Sequence, residues 1–323
     1  MAASDFVSNL HTHLMKEKSV VASTADSYIR TLIVLNDKVP FKNLSFLKKK
    51  DVIMAKLAEY AVSTQKSVLA MIVSVLSLFQ SKPTYKSTFA FYHDKMVEAM
   101  KEARESETSE KTDKQKTNWI DWKDVKKISD DAYAKVKELS TKKMLTTKEA
   151  DHLLNTMVLS LYTCVPPRRN QDYLDMLVVK KWDEKMDKSH NYLDLADSQF
   201  VFNKYKTAKK YGTQIVKIPN DEENPLMDTL AAYLKHNPFY KSMKGKNPAP
   251  IPFLVSSDGT PFVAANSITR ILNKIFGKKV GSSMLRHIFI TNKYGTVKGD
   301  MEADATAMGH SVAEQQNTYN LPN

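Results

Sequence analysis

Apolar side chains recur every three to four residues over most of the first hundred positions. Stripes of this kind run through residues 28–35, 68–79 and 89–100. Such spacing places the apolar side chains on one face of a helix, and that face packs into a core. We therefore expect residues 1–102 to form a small helical bundle with polar outer faces.

Two segments carry the signature of a helix start. Ser23 and Thr146 are each followed three residues later by an acid, Asp26 and Glu149 respectively. In a capping box, the first hydroxyl and the acid three positions later satisfy backbone N–H groups that the helix leaves open. Helices are therefore expected to start at these two positions. The second helix should end before the proline pair at 166–167, because proline interrupts a helix.

The pattern changes from helical spacing to alternation in the second half of the chain. Residues 199–205 and 214–218 alternate well enough to be two strands, with a glycine in the turn between them. Asp258 and Gly259 mark a further turn between apolar stretches. Helical spacing returns in residues 268–276 and stops at a glycine. The chain is therefore expected to be mainly α with a small β-sheet, an α+β fold.

A charged stretch separates the two halves of the chain. In residues 101–117, Ala103 is the only aliphatic residue, and five basic and five acidic residues fill most of the rest. Such a segment cannot bury a face and is typical of a linker or a solvated helix extension. We therefore expect a helical domain over residues 1–102, a charged linker over 103–118 and a second domain over 119–323.

The composition indicates in which cellular compartment the protein works and what kind of partner it binds. The chain has 48 Lys and Arg against 36 Asp and Glu, a net charge of +12, which favours a polyanionic partner. Cys164 is the single cysteine, so no disulfide can form within the chain and a reducing compartment is expected. The sequence lacks both a signal-peptide pattern and the ~18 to 20 apolar residues of a membrane span. We expect an intracellular protein with no membrane partner.

Two arginine motifs lie far apart in the sequence. Arg169 precedes Asp172 by three residues, and Arg286 follows Ser283 by three. Planar guanidinium groups can stabilise the charge that develops on the non-bridging oxygens of a phosphodiester under attack. Asp172 is expected to be a buried partner that orients an arginine rather than a magnesium ligand. Arg168 is the alternative to Arg169.

A tyrosine, a histidine and a lysine-rich hairpin complete the candidate chemistry. Tyr319 follows His310 by nine residues. A phenol titrates near pH ~10, so it attacks well only when a neighbour takes its proton or holds its developing charge. His310 is the candidate for that role. Lys206 is the candidate general acid for the leaving 5′ oxygen, with Lys209 and Lys210 as alternatives.

The order and spacing of these motifs resemble the tyrosine recombinase (phage integrase) family. The residues that carry the resemblance are Arg169, Lys206, Arg286, His310 and Tyr319. The resemblance implies an N-terminal helical core-binding domain joined to a catalytic domain, and strand cleavage through a 3′-phosphotyrosyl bond without metal or cofactor. The double-proline form of the first motif resembles the versions in eukaryotic mobile elements and large DNA viruses.

The chain departs from the family pattern at two places. Ser283 stands three residues before Arg286, where the family usually has histidine or lysine, and serine is a poorer proton shuttle. This leaves more of the proton transfer to His310. His287 is expected to be a packed residue with a structural role. Only four residues follow Tyr319, whereas many family members extend there into a helix that docks on a neighbouring protomer.

The resemblance implies a site-specific recombinase or integrase that acts on double-stranded DNA as a homotetramer. The first alternative is a monomeric topoisomerase of the tyrosine, 3′-linked kind. The second is a catalytically inactive DNA-binding clamp, for which Ser283 is the only support in the sequence. In each case the protein is expected to be associated with DNA.

Overall fold

A computed structural model describes residues 3–105, 111–219, 224–245, 248–264 and 266–308. The chain divides into two compact units, Met1–Glu110 and Lys111–Asn323. The boundary between them falls inside the segment that the sequence predicts to be a charged linker. A helix extends into that segment as far as Glu105, and a second, short helix fills its last six residues.

In the described part of the first unit, every regular element is a helix. Its elements are α1 (Ala3–Glu17), α2 (Ala22–Leu35), a 3-10 helix (Ser45–Lys48), α3 (Lys50–Ala58), α4 (Val62–Ser77) and α5 (Pro83–Glu105). One core unites them, and α4 and α5 pack along each other. Tyr92 of α5 is fully buried and donates a hydrogen bond from its hydroxyl to the Leu47 carbonyl oxygen at 2.9 Å. The expectation of helices in this part of the chain is confirmed.

The predicted start of α2 is wrong by one to two residues. The helix begins at Ala22 with Val21 at the N-cap position, and no side chain caps it. Ser23 therefore lies inside the first turn. Asp26 is held instead by His11 of α1, whose Nε2 lies 3.2 Å from its carboxylate oxygen. Because the N-cap position is Val21, Ser23 and Asp26 do not stand at the two positions that a capping box needs.

The second unit surrounds one long buried helix, α9. Its helices are α6 (Asp113–Asn118), α7 (Trp122–Tyr133), α8 (Val136–Thr141), α9 (Thr147–Thr163), α10 (Asn170–Tyr173), α11 (Ala208–Tyr211), α12 (Leu226–His236), a 3-10 helix (Tyr240–Lys244), α13 (Ser267–Phe276) and α14 (Ser282–Met308). α9 packs against α7, α8, α12 and α13, and it is buried from Thr156 to Thr163. The predicted capping box is present, since Thr146 and Glu149 exchange their hydrogen bonds. α9 ends before the proline pair, as predicted.

A small mixed sheet packs beside these helices. Its strands are β1 (Leu177–Val179), β2 (Tyr192–Asp194), β3 (Gln199–Phe202), β4 (Gln214–Lys217) and β5 (Ile251–Pro252), in the spatial order β4-β3-β2-β1-β5. β1 and β2 are parallel, and the other pairs are antiparallel. The two predicted strands are β3 and β4, although β3 ends three residues earlier than expected. The predicted α+β class is confirmed.

Both faces of the sheet are covered. Phe200 and Phe202 of β3 meet Tyr173 of α10 edge to face, with ring centroids 5.9 and 5.8 Å apart. On the other face, Trp182 and Met186 from the β1–β2 connection pack over buried strand residues. Because α10 rests directly on β3, the chain segment with the first arginines is fixed to the sheet.

Two glycines stand where the sequence predicts a helix end and a turn. α13 ends at Phe276, and Gly277 takes the left-handed conformation with φ of 59°. Gly259 has φ of 84° in the predicted Asp-Gly turn, where Asp258 Oδ1 accepts the Thr260 N–H at 2.9 Å. Both positions favour glycine because a Cβ is strained there. Within the described ranges, no helix has the length and apolar character to cross a membrane.

Candidate active site

The first arginines lie on an extended connection between α9 and α10. The prolines at 166 and 167 end α9 and keep the chain out of helical geometry. Arg169 is extended, with φ −74° and ψ 148°, at the N-cap of α10. The N-terminus of a helix at this place would favour a phosphate through its dipole. α10 has only four residues, so its dipole contributes little and the arginine side chains must supply the positive charge.

Arg168 is held by four neighbours. Its Nε donates to Asp172 Oδ2 at 2.9 Å, and its Nη1 donates to Gln214 Oε1 at 3.0 Å. Its guanidinium carbon lies 3.8 Å from the ring centre of Phe202 and 5.1 Å from that of Tyr205. Stacking on aromatic faces and a directed ion pair fix the orientation of a guanidinium group. Arg168 therefore joins α10 to both strands of the β3–β4 hairpin.

Arg169 has no such partners. Its side chain is partly exposed, and in the part of the chain that the structure describes its guanidinium makes no hydrogen bond or ion pair. The carboxylate of Asp172 thus orients Arg168. The resemblance to the tyrosine recombinase family, in contrast, rests on the three-residue spacing from Arg169 to Asp172. The donors of Arg169 remain open to an external ligand.

Asp172 is a buried carboxylate with one open oxygen. Its side chain is 3% exposed, and its Oδ1 has no hydrogen-bond partner among the described residues. Burial raises the pKa of the Asp172 carboxyl, and the positive charges of Arg168 and Arg169 oppose that rise. Asp172 Oδ1 is therefore a hydrogen-bond acceptor that the Arg169 guanidinium does not use.

Asn191, just before β2, ties α10 to the lysine hairpin. Its Nδ2 donates to the carbonyl oxygens of Asp172 at 2.7 Å and Lys204 at 2.9 Å. Its Oδ1 accepts the N–H groups of Asn203 at 2.8 Å and Lys204 at 2.7 Å. All four hydrogen-bonding positions of this buried amide are satisfied, so the start of the hairpin is fixed relative to Asp172. Sequence reasoning missed Asn191, because its partners lie up to 19 residues away.

The hairpin lysines are all exposed. Lys206 directly follows Tyr205, whose ring faces Arg168 and whose hydroxyl donates to the Gly212 carbonyl oxygen at 2.7 Å. Lys209 and Lys210 lie on the single-turn helix α11, further along the loop. Lys206 is thus the candidate lysine next in sequence to Tyr205, the residue whose ring contacts Arg168.

Arg286 lies in the first turns of α14. Its Nε donates to the Ser282 carbonyl oxygen at 3.4 Å, and this is its one hydrogen bond to described residues. Burial raises the pKa of Tyr162 well above its usual value, Tyr173 and Asp172 raise it further, and the charge of Arg286 lowers it. The charge of Arg286 therefore acts on the Tyr162 hydroxyl, and the terminal nitrogens of Arg286 make no hydrogen bond to described residues.

A polar bridge of three side chains links the elements next to the two arginine motifs. The Tyr162 hydroxyl donates to Asn170 Oδ1 at 2.7 Å, and Asn170 Nδ2 donates to Thr269 Oγ1 at 2.7 Å. The bridge joins α9, α10 and α13. Arg169 is the chain neighbour of Asn170 in the middle of the bridge, and the charge of Arg286 acts on the Tyr162 hydroxyl at one end. Two motifs that are 286 − 169 = 117 positions apart in sequence thus converge on one polar bridge.

The other predicted residues of α14 are solvent-facing. Ser283 is exposed at the start of the helix, three residues before Arg286. His287 is also exposed, so the expectation of a packed histidine is wrong. Leu285 and Ile288 are the side chains that face the core, and the helical turn directs the intervening His287 away from it.

The remaining predicted residues lie outside the described part of the chain. These are His310 and Tyr319, which follow the last described residue of α14. Within the described ranges, no group of three or more His, Cys, Asp or Glu side chains is placed to hold a metal ion.

Comparisons of the chain with protein-family models, with curated proteins and with solved structures found no match.

Proposed function

We propose that this chain is a site-specific DNA recombinase or integrase that cuts and rejoins double-stranded DNA through a 3′-phosphotyrosyl intermediate. The observations that support the proposal are that Arg169 adjoins Asn170 of the Tyr162–Asn170–Thr269 bridge and that the charge of Arg286 acts on the Tyr162 hydroxyl. Arg169 and Arg286 both keep guanidinium nitrogens that no described residue uses. Two open guanidinium groups near one polar bridge are suited to clamp a phosphate.

Each side chain has a defined task in the proposed reaction. The Tyr319 hydroxyl attacks the phosphorus and passes its proton to His310. The bond from phosphorus to the 5′ oxygen breaks, and Lys206 supplies the proton that this oxygen needs to leave. Arg169 and Arg286 stabilise the charge on the non-bridging oxygens. Reversal of these steps on a new 5′ hydroxyl rejoins the strand and needs no external energy source.

Arg168 has a positioning role in this scheme. It holds the β3–β4 hairpin against α10 through Asp172 and Gln214, at 2.9 and 3.0 Å. The hairpin carries Lys206. A general acid acts only within hydrogen-bond reach of the oxygen that it protonates, so the hairpin position affects the rate of leaving-group departure.

The helical first unit is proposed to be the DNA-clamping, core-binding domain. Residues 38–93 contain nine lysines against two acids, Asp51 and Glu59. Three of these lysines lie over aromatic rings: Lys48 at 5.4 Å from the Tyr85 centroid, Lys50 at 4.8 Å from that of Phe91, and Lys82 at 5.3 Å from that of Phe79. A basic surface of this kind suits the phosphate backbone, which binds largely without sequence preference.

A nicked suicide substrate tests the proposal. After cleavage the short 3′ fragment diffuses away and the enzyme remains bonded to the DNA, so a denaturing gel should show a protein–DNA adduct. Tyr319→Phe should abolish the adduct and leave DNA binding nearly intact. Adduct formation by that variant would reassign the nucleophile, with Tyr294 of α14 as the next candidate.

The same experiment, extended to two DNA sites, separates the functional classes. A recombinase needs four active sites in one assembly, so Holliday junctions should form and a homotetramer should assemble on the DNA. Relaxation of supercoiled DNA by a monomer, without junctions, would identify a topoisomerase. DNA binding without any adduct would identify an inactive clamp.

A further inference from the structure

A cleft in the second unit lies where the start of α7 meets the first half of α14. Its volume is about 360 Å³, within the ~300 to 1,000 Å³ of sites that bind small molecules. Its lining includes two indole rings, two ammonium groups and two neutral polar side chains, namely Trp119, Trp122, Lys111, Lys123, Thr291 and Asn292. We call it the tryptophan cleft.

The walls of the tryptophan cleft are fixed by contacts between distant parts of the second unit. Lys278, in the loop after α13, donates from its Nζ to the Trp119 carbonyl oxygen at 3.3 Å. The Trp122 ring meets Phe289 of α14 edge to face, with the ring centroids 5.5 Å apart. Both tryptophans pack against the core of this unit. The cleft is therefore formed by the fold itself, without a ligand.

The Trp119 ring is covered by an exposed cation. Lys111, just before α6, places its Nζ 3.8 Å from the centroid of this ring. An exposed cation–π contact shifts an equilibrium by only about two- to fivefold. A nucleobase stacked on an aromatic ring shifts it by roughly fivefold to a hundredfold. A base can therefore displace the Lys111 ammonium from the ring, and the released ammonium is then available to a phosphate.

The charge around the tryptophan cleft favours an anionic ligand. Lys111 and Lys123 line the cleft together with one carboxylate, that of Asp121. Lys278 brings a third ammonium to the Trp119 carbonyl oxygen. Three positive charges against one negative charge suit the phosphate that accompanies a nucleobase.

Two side chains of α14 offer hydrogen-bonding groups to the cleft. Thr291 and Asn292 are exposed, and within the described ranges neither side chain makes a hydrogen bond. A hydroxyl and an amide can each donate and accept, which suits them to the polar edge of a base. Asn292 follows Arg286 by six residues, about 9 Å along the helix. The cleft is thus close to the second arginine motif.

We propose that the tryptophan cleft binds an unpaired nucleotide of the DNA, with the base stacked on Trp119 and the phosphate held by Lys111 and Lys123. Cleavage in the proposed reaction leaves a free 5′ end, which must separate from its complement before it can join a new strand. Aromatic rings beside positive charges hold such unpaired strands with little sequence preference. The choice of DNA as the occupant rests on the proposed function, whereas the geometry of the cleft does not.

A short single-stranded oligonucleotide tests the assignment without any need for cleavage. A matched strand has the same phosphates but lacks the bases. The strand with bases should quench the tryptophan emission and bind at least about fivefold more tightly than the abasic strand, as measured by the anisotropy of an end label. Equal affinities, or unchanged emission, would overturn the proposal. Both strands are compared on the parent protein, so this result does not depend on the folding of a variant.

Substitutions at two of the three tryptophans locate the stacking. Trp119→Leu should bind the strand with bases about as weakly as the parent binds the abasic strand. Trp119→Phe retains an aromatic face and should keep most of the affinity. Trp182 packs on the sheet and not in the cleft, so Trp182→Phe is the matched control and should bind like the parent. A loss of affinity in Trp182→Phe but not in Trp119→Leu would contradict the site.

The phosphate contact is tested by a lysine variant. Lys123→Ala should weaken the binding of both strands and reduce its salt dependence, because one phosphate contact is lost. Lys148 is an exposed lysine of α9 that does not line the cleft, so Lys148→Ala is the control. Equal salt dependence in Lys123→Ala and the parent would remove Lys123 from the site and contradict the proposal.

Further outcomes separate the possible occupants and the two proposals. Polyglutamate that quenches the emission and binds as tightly as the DNA strand would assign the cleft to an acidic protein partner and contradict the proposal. Base-dependent quenching in a protein that forms no adduct on the suicide substrate would support the nucleotide site and reject the proposed function. Adduct formation without base-dependent quenching would support the proposed function and reject the nucleotide site.

Discussion

Arg168 Nε and Asp172 Oδ2 meet at 2.9 Å, with 18% of the Arg168 side chain exposed and only 3% of the Asp172 side chain. The neighbouring Arg169 has no ion pair in the described part of the chain. Two adjacent arginines therefore have different environments. One belongs to the structural framework of the site, and the other is open to a ligand.

Arg168→Ala should destabilise the fold. It leaves the buried Asp172 carboxylate without its cation, and removal of one member of a buried ion pair costs about 3 kcal/mol. Urea denaturation followed by circular dichroism measures the free energy of unfolding. Arg169→Ala is the matched control and should stay within ~0.5 kcal/mol of the parent. Equal losses in the two variants would contradict the distinction between them.

Arg169→Ala and Arg286→Ala should each slow cleavage by roughly a hundredfold or more, because each removes one donor to the charge of the transition state. Single-turnover adduct formation on the suicide substrate measures this rate. Arg270 of α13 is an exposed arginine, and Arg270→Ala is the matched control with an expected rate near that of the parent. If Arg169→Ala lowers the cleavage rate only slightly, while Arg168→Lys is folded and cleaves slowly, then Arg168 and not Arg169 is the phosphate-binding arginine of the first motif.

Lys206→Ala should be rescued by a substrate in which sulfur replaces the leaving 5′ oxygen. A thiolate departs without a proton, so the general acid is no longer needed. The ratio of cleavage rates on the sulfur and oxygen substrates gives the result. Lys209→Ala and Lys210→Ala are the controls and should show the ratio of the parent. Equal rescue in one of these variants would assign the acid to that lysine.

Some elements could be predicted because their signals are local. Thr146 and Glu149 lie three residues apart and form the expected capping box, and Gly277 ends α13 by its own backbone conformation. Ser23 carries the same signature but does not cap α2. The helix begins at Ala22, ahead of Ser23, so the same signature stands out of register with the actual helix start.

The framework of the candidate site could not be predicted, because its hydrogen bonds connect distant positions. Asn170 bonds Thr269 across 99 residues, and Gln214 bonds Arg168 across 46. The strands β1, β2 and β5 have only two or three residues each, too few for an alternating pattern. Sequence reasoning found residues that are chemically distinctive, such as arginine, and missed the asparagines that position them.

Glu149→Gln should remove a pH-dependent part of the stability. The Lys142 ammonium, and then the capping bonds from Thr146, lower the pKa of Glu149 from 4.5 to about 2. A carboxylate with a lowered pKa stabilises the fold above its unfolded pKa, and this contribution is lost as the pH falls towards the folded pKa. The stability difference between parent and variant should thus be full above pH 4.5 and shrink towards pH 2. Acid titrations of both proteins, followed by circular dichroism, measure it, and a constant difference would contradict the assignment.

Cleavage should proceed in EDTA. In the proposed reaction Arg169 and Arg286 neutralise the charge on the phosphate oxygens, and Lys206 protonates the leaving group. These are the tasks that a divalent cation performs in metal-dependent phosphoryl transfer. Asp172 already bonds Arg168 at 2.9 Å, which suits a carboxylate that orients an arginine. Adduct formation in EDTA and in magnesium should therefore have similar rates, and a strict need for a divalent ion with no trapped phosphotyrosine would identify a hydrolytic nuclease.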